Sequence, residues 1–384
     1  MGEGLITRRN SSGVLIEFEN YYSSVEGLTS STPTALSAAR DSLAGSSVGA
    51  YALFAGGGIS SSAVDAYNTS LTRSTPTALL VGRGDLAGSS VGAYALFAGG
   101  DAGGAAFVVD AYNTSLTRST PTSLSVARYW LAGSSVGAYA LFAGGDAGSA
   151  SNVVDAYNTS LTRSTPTSLS AVRHRLAGSS VGDYALFAGG STGSSSVSNV
   201  VDAYNTSLTR STPTPLSVAR YWLAGSSVGD YALFAGGISS SAVDAYNTSL
   251  TRSTPTPLSV ARYWLAGSSV GDYALFAGGN SSSAVDAYNT SLTRSTPTSL
   301  SAARHRLAGS SVGNYALFAG GDAGSASNVV DAYSLTIKAY IPVTQGSKYK
   351  FTEGSEQTAS TNTTLVYNQK VTGYVKYKKG KITM

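Results

Sequence analysis

The sequence predicts an all-β fold, a seven-bladed β-propeller of four-stranded blades with a small, basic, β-rich C-terminal appendage. Three observations carry this prediction. First, the strings S-T-P-T-x-L-S-x-A-R, L-A-G-S-S-V-G-x-Y-A-L-F-A-G-G and V-D-A-Y-N-T-S-L-T-R recur along the 384 residues. Their arginine falls at Arg40, Arg83, Arg128, Arg173, Arg220, Arg262 and Arg304, giving seven units spaced 42 to 47 residues apart. Second, each unit contains four short strand-like runs separated by Gly, Asn and Pro. Third, no segment shows the 3.6-residue apolar period of an amphipathic helix. A unit of this size cannot bury both faces alone. Stacking copies into a closed ring buries them and leaves no long open edge.

The elements follow in order. Leu-Ala-Gly-Ser-Ser-Val is small and polar, suited to a crowded innermost strand. Tyr-Ala-Leu-Phe-Ala, as at 184–188, is the most apolar run and ends on a double glycine, as a buried strand would. Val-Asp-Ala-Tyr and Leu-Thr-Arg-Ser-Thr read as outer strands joined by an Asn-Thr-Ser turn. Proline, as at Pro121 and Pro166, stops the last strand because it cannot donate to a ladder. The last unit changes character after Tyr333, so the ring needs an outer strand from elsewhere. The N-terminal segment 28–34 is the favoured closing strand, with Leu335–Ile341 as its rival. Residues 1–24 then form an N-terminal arm, 25–336 the propeller and 337–384 the tail.

At this point the sequence resembles the kelch-repeat family. The matching features are the double glycine after an apolar strand, the Val-Asp-x-Tyr strand that follows, and the arginine opening the next unit, over about residues 28–333. The tryptophan usual in the outermost kelch strand is missing, Leu-Thr-Arg standing in its place, which implies thinner packing there. Arrays of this wording also look like uncharacterised kelch-like proteins of bacteria and phages. The resemblance implies that residues beside the repeat arginine face a partner.

Comparing the seven copies shows where variation is allowed. The arginine and the first glycine of the pair are 16 residues apart in every unit, as from Arg128 to Gly144, and the Val-Asp aspartate precedes the next arginine by 18, as from Asp155 to Arg173. Every length change therefore lies between the double glycine and Val-Asp-Ala-Tyr. Residue identity varies most at the two positions after the arginine: Asp41-Ser42, Gly84-Asp85, Tyr129-Trp130, His174-Arg175, Tyr221-Trp222, Tyr263-Trp264 and His305-Arg306. In an antiparallel blade both variable places emerge on one rim, and loops on a rigid scaffold are where recognition usually lives. The candidate ligand-binding residues are thus Tyr129, Trp130, His174, Arg175, Tyr221, Trp222, Tyr263, Trp264, His305 and Arg306. Aromatics and arginine provide stacking and cation–π contacts and dominate binding hot spots. The competing structural reading is that they fill wedges between blades near the axis.

Other motifs read more plainly. The repeat arginines either line a positive, anion-holding ring or tie neighbouring blades through carbonyls, the second being favoured. Asp65 and Arg73, and their copies, read as a surface ion pair worth roughly 0–1 kcal/mol. Asp101, Asp146 and Asp322 in Asp-Ala-Gly loops lack a second acid for calcium and read as turn formers. The glycine-rich loops lack the lysine and helix of a phosphate-binding loop, and the Asn-Thr-Ser triplets read as turns rather than glycosylation sites.

Composition excludes several chemistries. Cysteine is absent and only His174 and His305 supply imidazole. That removes thiol catalysis, zinc–cysteine sites and most histidine triads, and no metal or cofactor is expected. The N-terminus lacks the apolar stretch of a signal peptide, and no apolar run approaches the roughly 20 residues of a membrane span. The protein is expected to be made in the cytoplasm, without a membrane span, and to be displayed on a surface or virion. All eight lysines lie between Lys338 and Lys381, where the only acids are Glu353 and Glu356. The tail is therefore +6 and residues 1–337 are −2, out of a net +4, so the body is no nucleic-acid binder. The expected function is a binding or display module, not an enzyme, presenting its variable rim to a glycan or protein. The alternatives are an assembly protein docked through 337–384 and a carbohydrate-active enzyme, which needs clustered acids on the axis.

Overall fold

The computed structural model describes the backbone of residues 5–9, 15–19, 22–343 apart from Ile59, Ser194, Ser195 and Ser281, and then 348–349, 357–358 and 363–370. Side chains are described for residues 27–335 with the same four exceptions. The chain divides into two units, Ser30–Tyr333 and a second made of Met1–Thr29 with Ser334–Met384. The first is a seven-bladed propeller of four-stranded antiparallel sheets, and among the described residues there is no helix. Among the described residues no helix is long and apolar enough to cross a membrane.

Blade 1 shows how one repeat folds. Its strands are Ala44–Val48, Tyr51–Ala55, Val64–Asn68 and Arg73–Ser74, in that order from the axis outward. Val48 pairs with Tyr51, so a two-residue turn joins the first two strands, and Gly49 adopts the φ of +52° that this turn needs. The second strand pairs along its whole length with both neighbours, Ala55 with Ala44 and with Val64. Side-chain alternation along that strand then decides the core. Leu53 and Ala55 pack against Leu79, Leu86, Phe97 and Tyr112 of blade 2, while Ala52 and Phe54 pack against Leu317, Ala319 and Val330 of blade 7. The core therefore lies between blades rather than within them. The same set of residue types recurs at the interfaces from blade 1 round to blade 6, and the junction of blade 7 with blade 1 is built like them. Tyr67 adds a bond across each junction, its hydroxyl donating to the Thr34 carbonyl at 2.7 Å, and the six other repeat tyrosines do the same.

The innermost strands meet at the axis with almost no spare space. A Cβ on Gly45 would lie 2.1 Å from the Gly309 carbonyl oxygen, and the equivalent clash recurs between each pair of neighbouring blades. One tier on, the Ser46 hydroxyl donates to the Ser89 carbonyl at 2.7 Å, and the chain of such bonds runs on until Ser310 donates to Ser46. Small side chains at the axis are thus a packing requirement. They leave a polar axial cavity of about 270 Å3 lined by serines and glycines.

The outermost strands are shorter than Leu-Thr-Arg-Ser-Thr suggests, with two residues in blades 1 to 6. The reason is local. The Asn68 side chain accepts from the Ser70 and Thr72 backbones, confirming the Asn-Thr-Ser turn, and Leu71 turns the chain at φ +58°. A leucine in that conformation cannot continue a strand. In the seventh sheet the order is Ala308–Val312, Tyr315–Ala319, Val330–Val343 and Tyr22–Ser31, so the outermost strand comes from the N-terminal part of the chain. Leu335–Ile341 is a continuation of the third strand.

In the second unit Leu5–Arg9 pairs with Leu15–Glu19, Lys348–Tyr349 with Gln357–Thr358, and Thr363–Lys370 with Val343 back to Thr336. The alternating segment Tyr374-Val375-Lys376-Tyr377-Lys378, which in sequence reads as a further strand of the tail, lies outside the described residues.

Candidate binding site at the axial mouth

The site is built outward from the repeat arginine. Arg83, for example, is fully buried and bonds within its own blade, to Asp110 at 2.9 Å and to the Phe97 carbonyl at 3.1 Å. Each of the other six pairs with the Val-Asp aspartate of its blade in the same way. The Arg128 backbone, by contrast, reaches the preceding blade, its N–H bonding Ala106 and its carbonyl accepting from Gly100. Side chain and backbone together thus tie two blades. The arginines offer no positive ring to a ligand, because each charge is buried and neutralised. Burial lowers their pKa and the aspartate opposes this, in Arg128 leaving a value of about 10, so the guanidinium stays charged at neutral pH.

The aspartate corrects a sequence expectation. Asp65 is fully buried, and its nearest cation is Arg40 at 2.5 Å, with Arg73 at 3.5 Å. The Asp65/Arg73 pair is therefore one arm of a buried network and not a surface ion pair. Sequence spacing suggested Arg73 because it lies eight residues away on the next strand. The fold brings Arg40 closer from 25 residues upstream.

Directly after the arginine, the variable dipeptide splits into two roles. Its first residue pairs with the variable-length loop of its own blade: Tyr129 exchanges backbone bonds with Asp146, His174 with Ser191 and His305 with Asp322. Length variation and residue variation therefore adjoin at one end of the propeller. Asp101, Asp146 and Asp322 act as turn formers, each side chain accepting from the backbone of the following Gly103, Gly148 or Gly324. Among the described residues no three His, Cys, Asp or Glu side chains gather as a metal site would require.

The second residue of every dipeptide stands around the axis. Ser42, Asp85, Trp130, Arg175, Trp222, Trp264 and Arg306 all adopt φ between 50° and 57°. The N–H of each donates to the carbonyl of its predecessor, and Ser42 closes the circle by donating to Arg306 at 2.9 Å. This closed ring of seven backbone bonds explains the shared left-handed conformation, which most side chains avoid. Below it sits a collar of seven leucines, Leu43 to Leu307, and the two tiers enclose a mouth of about 230 Å3.

Within the ring the large side chains stack on one another. The Arg175 guanidinium lies 3.9 Å from the Trp130 ring and 4.6 Å from Trp222. Trp222 and Trp264 are 4.4 Å apart, and Arg306 lies 4.2 Å over Trp264. Residues of the first position buttress this arc: His174 stacks on Trp130, Tyr263 on Trp222 and His305 on Trp264. Tyr129 and Tyr221 pack against the tryptophans that follow them.

All ten sequence-predicted site residues therefore belong to one assembly, but in unequal positions. Trp130, Arg175, Trp222, Trp264 and Arg306 line the mouth, whereas the five residues before them stand outside the lining. His174 is only 5 % exposed. Burial and the Arg175 charge lower its pKa, so it is a neutral support for Trp130. Two lining residues were missed, Ser42 and Asp85. They occupy the same repeat position as Trp130, so positional equivalence was the available signal, and selecting for aromatic and cationic residues hid them. Burial raises the Asp85 carboxyl above its ordinary value, opposed by the Arg306 charge and by hydrogen bonds with Trp130 and Ser42.

No protein-family model and no curated protein matches the chain. Similar solved structures are numerous, 606 chains in all, so the fold is common and carries no function by itself. One of them, the structure of YjhT, superposes with a TM-score of 0.51 at 12 % identity, over 80 % of this chain and 96 % of that one. This chain thus shares the propeller fold of that protein.

Proposed function

We propose that the protein is a non-catalytic binding or display module whose axial mouth holds a glycan or protein ligand. The observation that carries this reading is the ring of seven second-position residues. It is the one tier around the axis where otherwise near-identical blades differ, and it holds aromatic and arginine side chains in a concave site. The two axial cavities have a single lining carboxylate among the described residues, Asp85, whereas glycoside hydrolysis ordinarily uses a pair. This supports binding over catalysis. The double glycine, the Val-Asp-x-Tyr strand and the arginine that bonds to it favour the kelch-like assignment. The reading extends to surface or virion display, with the basic segment 337–384 as the docking part.

The test compares the wild-type chain with a Trp130→Ala, Trp222→Ala, Trp264→Ala variant on glycan arrays and on whole cells. Loss of binding with an unchanged circular dichroism spectrum is expected. Binding that survives in this variant would remove the mouth as the site. The reading as a pure assembly protein predicts instead that deleting 338–384 abolishes incorporation into its assembly and that mouth substitutions change nothing.

A further inference from the structure

Resting on the mouth being the binding site, we propose that its ligand group is a neutral pyranose sugar, seated in a notch over Ser42 and Asp85. The notch follows from counting round the ring. Five consecutive second positions carry tryptophan or arginine, stacked from Trp130 to Arg306 at 3.9 to 4.6 Å. The two remaining positions, adjacent to each other, carry Ser42 and Asp85. The stacked arc is thus interrupted once, between Arg306 on one side and Trp130 on the other.

What fits there is decided by the groups still able to bond. The backbone contributes no donor, because the N–H groups of Ser42, Asp85 and Trp130 are all spent on the ring. Recognition rests on side chains: the half-buried Asp85 carboxylate, which bonds Trp130 and Ser42 and keeps lone pairs to spare, the Ser42 hydroxyl, which already bonds the Asp41 carboxylate at 2.8 Å, and guanidinium groups that, among the described residues, stack on rings without a hydrogen-bond partner. A cationic ligand would meet Arg175 and Arg306, and an anionic one would meet Asp85. A neutral polyol uses both signs. Two neighbouring hydroxyls donate to the Asp85 carboxylate, a third oxygen accepts from Arg306, and the apolar C–H face lies against Trp130. Hydrogen bonds to a charged acceptor are the stronger kind. At about 230 Å3 the mouth is smaller than the roughly 300–1,000 Å3 of drug-sized pockets, which suits one ring and not a folded segment.

The chain supplies its own reporter, since its only three tryptophans all line the mouth. The full chain is titrated with glucose, galactose, mannose and N-acetylglucosamine while tryptophan emission is followed. At least one sugar should give a saturable change. Asp85→Asn, which tolerates the left-handed backbone, should weaken it about ten-fold or more. Ser42→Trp, which fills the notch, should abolish it. The proposal is overturned if no neutral sugar changes the emission, or if both variants respond like wild type. Glucuronate and arginine amide serve as charged probes. If either gives a saturable change that Ser42→Trp removes while neutral sugars give none, the sugar assignment fails and the mouth stands. If array binding persists in the triple tryptophan variant, the mouth itself fails.

Discussion

Arg128 and Trp130 are two residues apart, as are the other six arginines and their ring residues, yet the two positions face opposite demands. The arginine is sealed inside its blade, with Asp155 and the Phe142 and Gly144 carbonyls around it. Only a long, always-charged fork meets several acceptors at once, so every copy keeps arginine. At the ring position the one contact that all seven copies share is made by the backbone, N–H to carbonyl around the axis. Its side chain projects from a scaffold that does not depend on it, so serine, aspartate, tryptophan and arginine all occur there. Invariance and variability are two consequences of where the hydrogen bonds are placed.

This contrast can be broken at its stronger side first. Asp155→Ala strands a buried guanidinium, and breaking such a pair typically costs about 3–5 kcal/mol. Urea unfolding should show a loss of that order, and a loss under 1 kcal/mol would mean that the pair does not hold the blade. Gly178→Ala comes next. Its Cβ would lie 2.1 Å from the Gly133 carbonyl oxygen, which is backbone and cannot step aside. Overpacking of this kind costs roughly 1–3 kcal/mol, and the thermal midpoint should fall accordingly.

On the variable side the expected effects are smaller, and the first is of the other sign. Because burial holds the Asp85 carboxyl above its ordinary value, the native protein binds that proton more tightly than the unfolded chain. The charged form then costs stability at neutral pH, and the cost disappears as pH falls through the raised value. Asp85→Asn should therefore melt slightly above wild type at pH 7, with the gap closing in acid. A variant that melts lower at pH 7 would contradict this. Smallest of all, Trp264→Ala should change stability by about 0.5 kcal/mol or little more, because its side chain is half-exposed.

The fold was legible because each repeat states the same strand pattern seven times, and a wrong reading of one copy is corrected by the others. The rim was legible because length and identity change in only two places per repeat. Three things were not. The Asp65–Arg40 pair joins residues distant in sequence, and pairing by proximity led to Arg73 instead. The two-residue outer strand depends on Leu71 in a left-handed conformation, for which leucine gives no sign. The division of the dipeptide into a lining residue and a buttress follows from a ring of backbone bonds between blades. His174 and Arg175 therefore read alike in sequence and differ in space, one buried against Trp130 and the other forming the wall.

The central claim is that binding is set by the cyclic order of the mouth residues on an indifferent scaffold. Exchanging two neighbouring dipeptides tests it most directly: His174→Tyr, Arg175→Trp, Tyr221→His and Trp222→Arg together keep composition, charge and every repeat position. This account predicts an unchanged fold by circular dichroism, a thermal midpoint within a few degrees of wild type, and binding lost or redirected to a different ligand. An exchanged protein that binds the same ligand with the same affinity would contradict it.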